Sequence, residues 1–130
     1  ESVLSLRNLH IASINPYLDI VTETVKLTEN NIPSLLEGFP IICEAFDQPD
    51  QKAMLVNTAL RTLPNAVIVS GNGMAGYGDA NTIQTKRQLS RLYVCGDGTA
   101  DIAAGMGLMA PRVAICAGHQ ANKVIQLILE

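Results

Sequence analysis

Apolar and polar positions recur with two different periods along this chain, and each change of period marks a new element. Val3, Leu4, Leu6, Leu9 and Ile11 share one broad apolar face before Asn15-Pro16 stops the run, so residues 1 to 13 read as a helix followed by a turn. Residues 19 to 27, DIVTETVKL, alternate instead: Ile20, Thr22, Thr24 and Lys26 fall on one side, Val21, Glu23, Val25 and Leu27 on the other. That is the pattern of a strand with one face partly wet. A short helix follows in NNIPSLLEG, with Asn30 or Asn31 as its cap and Gly38 as its end.

The run PIICEAF, 40 to 46, lacks alternation and resembles strands buried on both faces of a parallel sheet. From Pro49 to Leu63 the apolar residues return at helical spacing, at 53, 56, 60 and 63, with Pro49 and Asp50 suited to a first turn. AVIVS, 66 to 70, is a second buried strand. Strand, helix, strand thus recurs twice, which predicts a right-handed parallel α/β layout. Beyond Ser70 come glycines and polar residues, two shorter strands in TIQTK and LYVCG, and a Gly/Met stretch to Ala110. A long helix closes the chain, with Pro111 in its first turn and apolar residues nearly all round, as expected of a helix buried between layers or against a second subunit.

Composition narrows the class. The chain has 130 residues, 48% hydrophobic and 16% charged, which suits one globular domain over 1 to 130 with a real core. No internal repeat or linker divides it. A net charge of −3 argues against a nucleic-acid partner held by phosphate contacts, and the cluster Lys86, Arg87, Arg91 reads as a solvated face. Cys43, Cys95 and Cys116 stand far apart with no CxxC pair, which fits a reducing cytoplasm; of the three, Cys95, beside Gly96-Asp97-Gly98, is the best placed for access, although it reads first as a small buried residue. A basic-then-apolar leader is lacking, and Arg112, His119 and Lys123 interrupt the most apolar helix, so neither secretion nor a membrane partner is expected.

Gly71-Asn72-Gly73-Met74-Ala75-Gly76 spells GxGxxG after a strand, the fingerprint of dinucleotide sites. Such a fingerprint works because a helix opens within the glycines and turns its free N–H groups to a pyrophosphate. Here Tyr77, Gly78, Asp79, Ala80 and Asn81 follow, all poor helix starters, so the segment reads as a glycine-rich loop rather than a cofactor loop. Asp47 is the better candidate. It ends an apolar strand and precedes a helix, where ligands collect in open α/β sheets, although an Asp there is equally a good N-cap. Glu44 and Asp50 could join it around Mg²⁺, which takes few carboxylates plus phosphate oxygens. His10 and His119 have no second ligand at helical spacing and read as packing or surface histidines.

Four stretches, in order, carry a family resemblance: INPYLDIV (14 to 21), CEAFDQPDQKAMLVN (43 to 57), VSG before the glycine loop, and GLMAPRVAICAGHQANKVIQLIL (107 to 129). Together they resemble the E1-like adenylyltransferases ThiF, MoeB and HesA, which activate ubiquitin-like sulfur carriers. MAGYGDANTIQTK with VCGDG looks closest to the short ThiF-like branch of thiamine biosynthesis. The resemblance implies a Rossmann-like α/β fold, here its carboxyl-terminal part, with a mostly parallel sheet continuing into antiparallel strands and helices packed on it.

It also implies a chemistry. Such enzymes bind ATP and Mg²⁺, let the carrier's C-terminal Gly-Gly carboxylate attack the α-phosphate, and release pyrophosphate. A sulfur donor then turns the acyl-adenylate into a thiocarboxylate. By resemblance Asp47 matches the Mg²⁺-coordinating aspartate, Gln48 lies near the adenylate, and Val25-Lys26 fall at the adenine-edge loop. The family's nucleotide half, with its own GxGxxG and phosphate-neutralising Arg and Lys, is expected upstream of Glu1, so this piece alone is expected to be inactive. The CxxC pairs that hold zinc in many members are absent, and no structural zinc is expected. A homodimer is expected, with the glycine loop facing the carrier's tail or the second subunit. Two other classes stay open: a non-catalytic binding or oligomerisation module, and a nicotinamide-dependent oxidoreductase using the glycine motif.

Overall fold

The computed structural model describes residues 10–98 and 107–130. Its centre is a strand–helix–strand unit: β1 (Ile41–Glu44), α2 (Pro49–Thr62) and β2 (Val67–Gly71), preceded by the short α1 (Ile32–Leu36). A 3-10 turn (Ala80–Thr82) leads into a hairpin of β3 (Gln84–Leu89) and β4 (Leu92–Gly96), and α3 (Ala110–Leu129) ends the chain. The sheet order is β1-β2-β4-β3. β1, β2 and β4 run parallel, and β3 returns antiparallel along β4. The expected parallel sheet continuing into antiparallel strands is therefore present.

Alternating side chains of β2 divide the core. Ile68 faces one side, packed with Ile32, Ile42, Leu55, Ala59 and Leu92 beneath α1 and α2. Val69 faces the other, with Cys95, Cys116 and Ile83 beneath α3. Period two in the strand and period 3.6 in the helices meet at these positions, which makes a helix–sheet–helix sandwich. Arg91 locks the far end of α2: its guanidinium donates to the carbonyls of Leu60, Leu63 and Ala66 at 2.6, 2.8 and 2.8 Å. The first two are carbonyls that a helix C-terminus leaves unpaired, and the third lies in the turn that follows. Arg91 thus leaves the solvated basic face that the sequence suggests, because an arginine fork is better used across a helix end.

One expectation changes. Residues 19–27 form no strand; they are irregular and exposed up to Leu27, which packs half-buried against the core, and Val21 is 82% accessible. A strand is stable only when its N–H and C=O groups have a partner ladder, and among the described residues none lies beside this stretch. The long helix is covered on one side only. Arg112, Cys116 and Gln120, at successive helical turns, are buried against the sheet, whereas Ala114, Gly118, Ala121, Ile125 and Ile128 are exposed. Of the helix expected over 1 to 13, residues 10–14 are helical and residues 1–9 lie outside the described residues. Among the described residues, no helix is long and apolar enough to cross a membrane.

Candidate functional site

Chain direction brings the carboxyl ends of β1, β2 and β4 to one edge of the sheet, where α/β folds hold their ligands. A cavity of about 210 Å³ opens there between the β1–α2 turn, the glycine loop and α3. Asp47, Lys52, Asn72, Gly73, Met74 and Gln120 contribute to its walls. A larger cavity of about 740 Å³ lies at the opposite end of the strands, walled by Leu36, Phe39, Pro40 and Pro64. Its one ionisable lining residue is Glu37, so it offers volume without converging polar groups. The smaller cavity is the candidate site.

Behind the smaller cavity stands Glu44, the last residue of β1 and only 1% exposed. A carboxylate removed from water needs charged or hydrogen-bonded partners, and this one has three. The Phe46 backbone N–H donates to Oε1 at 2.5 Å. The Lys52 ammonium, one turn into α2, donates to Oε1 at 3.0 Å and to Oε2 at 3.3 Å. The Ser70 hydroxyl, from β2, donates to Oε2. Gln120 Nε2 on α3 adds a bond to the Glu44 carbonyl at 2.9 Å. Glu44 therefore ties β1, its turn, α2 and β2 together, and its oxygens are not available to Mg²⁺ beside Asp47.

Asp47 itself stands exposed on the turn that Glu44 shapes. The N-cap of α2 falls on Gln48, with no side-chain capping bond, so the Asp47 carboxylate does not serve as the cap. Gln48 is adjacent and exposed but does not line the cavity, and neither do Val25 and Lys26, which sit in the irregular segment before α1. Lys52 was not singled out from the sequence. Its signal was there: an acid inside the apolar run PIICEAF requires a cation partner, and Lys52 is the first cation downstream.

The glycine loop does not open a helix; residues 72–79 are irregular. Its tight packing is internal. Gly73 has φ +76°, and a Cβ there would lie 2.3 Å from Asp97 Oδ1. A Cβ on Gly96 would overlap the Asn72 carbonyl oxygen at 1.3 Å. The two loops bond directly, Asn72 N–H to the Cys95 carbonyl at 2.8 Å and Asp97 N–H to the Gly73 carbonyl at 3.0 Å. The glycines thus admit the end of β4 on this side of the loop. Arg112, 4% exposed, fastens the same pair of loops: it meets Asp97 Oδ2 at 2.6 Å and the carbonyls of Gly78 and Asp79 at 3.0 and 2.9 Å. The other side of the loop, at Asn72 to Ala75, faces the cavity.

Cys95 is the small buried residue that its apolar setting favours, not an accessible thiol. Cys95 is fully buried within β4, and Cys43 on β1 is exposed. Burial pushes all three thiols above their ordinary range, Cys116 up to about 11. His119 packs through Nδ1 against the Thr85 hydroxyl at 2.9 Å, as a structural histidine. Among the described residues, no three His, Cys, Asp or Glu side chains converge to hold a metal.

A mixed sheet with helices on both faces and a cavity at its strand ends defines a Rossmann-like α/β domain. The chain belongs to the ThiF family, whose family model matches residues 7–130. By structure it is similar to the Escherichia coli tRNA N6-threonylcarbamoyladenosine dehydratase TcdA in complex with ATP: the TM-score is 0.70 at 16% identity, covering 96% of this chain and 64% of that one. The AMP complex of the same enzyme gives 0.69 at 15% identity, covering 97% and 65%. This chain therefore spans just under two thirds of the TcdA chains. Among curated proteins, none matches significantly by sequence.

Proposed function

We propose that this chain is the carboxyl-terminal part of an ATP-dependent adenylyltransferase that activates the C-terminal Gly-Gly carboxylate of a ubiquitin-like sulfur carrier, in the thiamine branch of the family. The observation that carries the reading is the uncapped carboxylate of Asp47 on the rim of a cavity at the strand ends, with a lysine beside it. Membership of the ThiF family and likeness to an enzyme crystallised with ATP and AMP support a nucleotide at this edge. One free carboxylate suits Mg²⁺, which keeps most of its coordination for water and phosphate oxygens. Bound there, the metal would supply charge to the phosphoryl group under attack. Gln48 is the neighbouring adenylate contact in this reading, and Val25 and Lys26 the adenine-edge residues.

The test is pyrophosphate exchange into ATP in the presence of a carrier ending in Gly-Gly. The protein carrying the family's nucleotide half ahead of this chain exchanges pyrophosphate, and Asp47→Asn lowers the rate at least about 100-fold, as expected for loss of a transition-state charge contact. Its melting temperature stays unchanged. Full activity of Asp47→Asn, or exchange by the 130-residue chain alone, would overturn the reading. A tRNA substrate, as in the name of TcdA, is less well matched by a net charge of −3 and by Arg91 and Arg112 being engaged internally.

One observation favours a complementary reading. The uncovered stripe of α3, Ala114, Gly118, Ala121, Ile125 and Ile128, is smooth and apolar enough to pack against an identical helix in a homodimer. Sedimentation equilibrium reports it directly: the wild type runs as a dimer and Ile125→Glu as a monomer. A wild-type monomer at micromolar concentration removes the dimer.

A further inference from the structure

The Glu44 network leaves one part of Lys52 without a role. An ammonium has three N–H donors. Two point back to the Glu44 oxygens, and no other acceptor meets Lys52 among the described residues. Its side chain is 19% exposed, and it lines the cavity that Asp47 also lines. A cation fixed from behind by a buried carboxylate and lining a cavity is suited to contact an anion there. The fixing matters: a lysine free in solvent loses side-chain entropy when it grips a ligand, whereas this one is already ordered by a buried partner.

We infer that Lys52 is the cationic contact for the oxyanion that enters the cavity beside Asp47, and that Glu44 is the positioning residue that aims it. The same cavity wall carries the Asp47 carboxylate, so an anion binding there without a cation would be repelled. Lys52, with the charge that a divalent ion held by Asp47 would add, favours a group carrying carboxylate or phosphoryl oxygens. Adenylation brings both kinds of oxygen to one place. The inference rests on the proposed reading for that ligand class, and it fails separately from it.

The experiment titrates the 130-residue chain by NMR, in Mg²⁺, with two probes: inorganic pyrophosphate for the phosphoryl arm and N-acetylglycylglycine for the carboxylate arm. Lys52→Met would strand Glu44 and could unfold the protein. The main variant is therefore Glu44→Gln with Lys52→Met, which removes the cation without leaving a buried charge. The expected result is at least a tenfold weaker Kd for one or both probes in the double variant, with an unchanged amide spectrum beyond the cavity. Lys52→Arg keeps binding within threefold. The arm that weakens names the source of the oxyanion. Equal affinity in wild type and double variant overturns the inference, as does absence of binding by the wild type or failure of Lys52→Arg. Anion binding that depends on Lys52 in a protein that shows no pyrophosphate exchange supports the inference while removing the adenylation reading.

Discussion

Residues 19–27 and residues 40–52 begin alike in sequence and end differently in structure. Each opens with β-branched and apolar residues and runs into a helix with a proline near its start, at Pro33 in one and Pro49 in the other. Yet 41–44 form a strand, and 19–26 stay irregular and open to solvent. The difference is a neighbour. β1 pairs with β2 from Ile41↔Val67 to Glu44↔Ser70, and α3 reaches it through Gln120. The earlier stretch has side chains of strand type and no ladder beside it among the described residues. Strand propensity is a statement about fitting a pleated, half-buried surface, and here the surface decides.

The largest expected effect sharpens that contrast in stability. Ile68, fully buried in the strand that supports β1, packs with Ile42, Leu55 and Ala59. Ile68→Ala should cost about 2–5 kcal/mol, the usual range for truncating a buried isoleucine. Val21→Ala in the open stretch should change stability by less than about 0.5 kcal/mol, as for other surface positions. Urea denaturation measures both. A cost at Val21 comparable to that at Ile68 would mean that the open stretch is packed in solution, and the comparison would collapse. A smaller effect concerns the wall facing β1. Gly73→Ala meets both a left-handed φ of +76° and the Asp97 carboxylate, so a loss of about 1–3 kcal/mol is expected. Gly107→Ala, with open space around it, is the control.

The same contrast explains how much of the molecule was legible in its sequence. The β1–α2–β2 unit could be read because both periods are complete within the 31 residues from Ile41 to Gly71 and each partner is local. The 19–27 strand was read wrongly because alternation reports side-chain facing and says nothing about what lies alongside. Asp47 was legible from position alone, at the end of a buried strand. Glu44 was grouped with it because both are acids, four positions of chain cannot show which carboxylate turns inward. Burial settles the matter: Glu44 is enclosed and paired with Lys52, whereas Asp47 is exposed. The glycine loop was recognised as no cofactor loop, but its true counterpart, the backbone of Gly96 to Gly98, lies more than twenty residues away and left no local sign.

The smallest expected effect tests whether the outer edge of β1 is as open as 19–27. Cys43 sits on that edge strand, accepting a long bond from Gln120 Nε2 at 3.6 Å, and it is exposed; Cys116, on the inner face of α3, is fully enclosed. At pH 8 a disulfide reagent should label one thiol per chain in minutes and the other two only on unfolding, with Cys43→Ser abolishing the fast phase. Burial raises the Cys43 thiol, so its labelling should accelerate as pH rises. The buried thiol adds a linked effect on stability. Cys116 is lifted from 9.0 to about 11 in the folded chain, so the unfolded state loses its proton first. Its contribution is complete below pH 9 and disappears as pH rises through about 11. Stability should therefore fall across that window, and Cys116→Ala should flatten the fall. Protection of Cys43 to the same degree as Cys116 would show that another element covers the edge of β1 in solution, and the two stretches would then differ in which of them had found its partner.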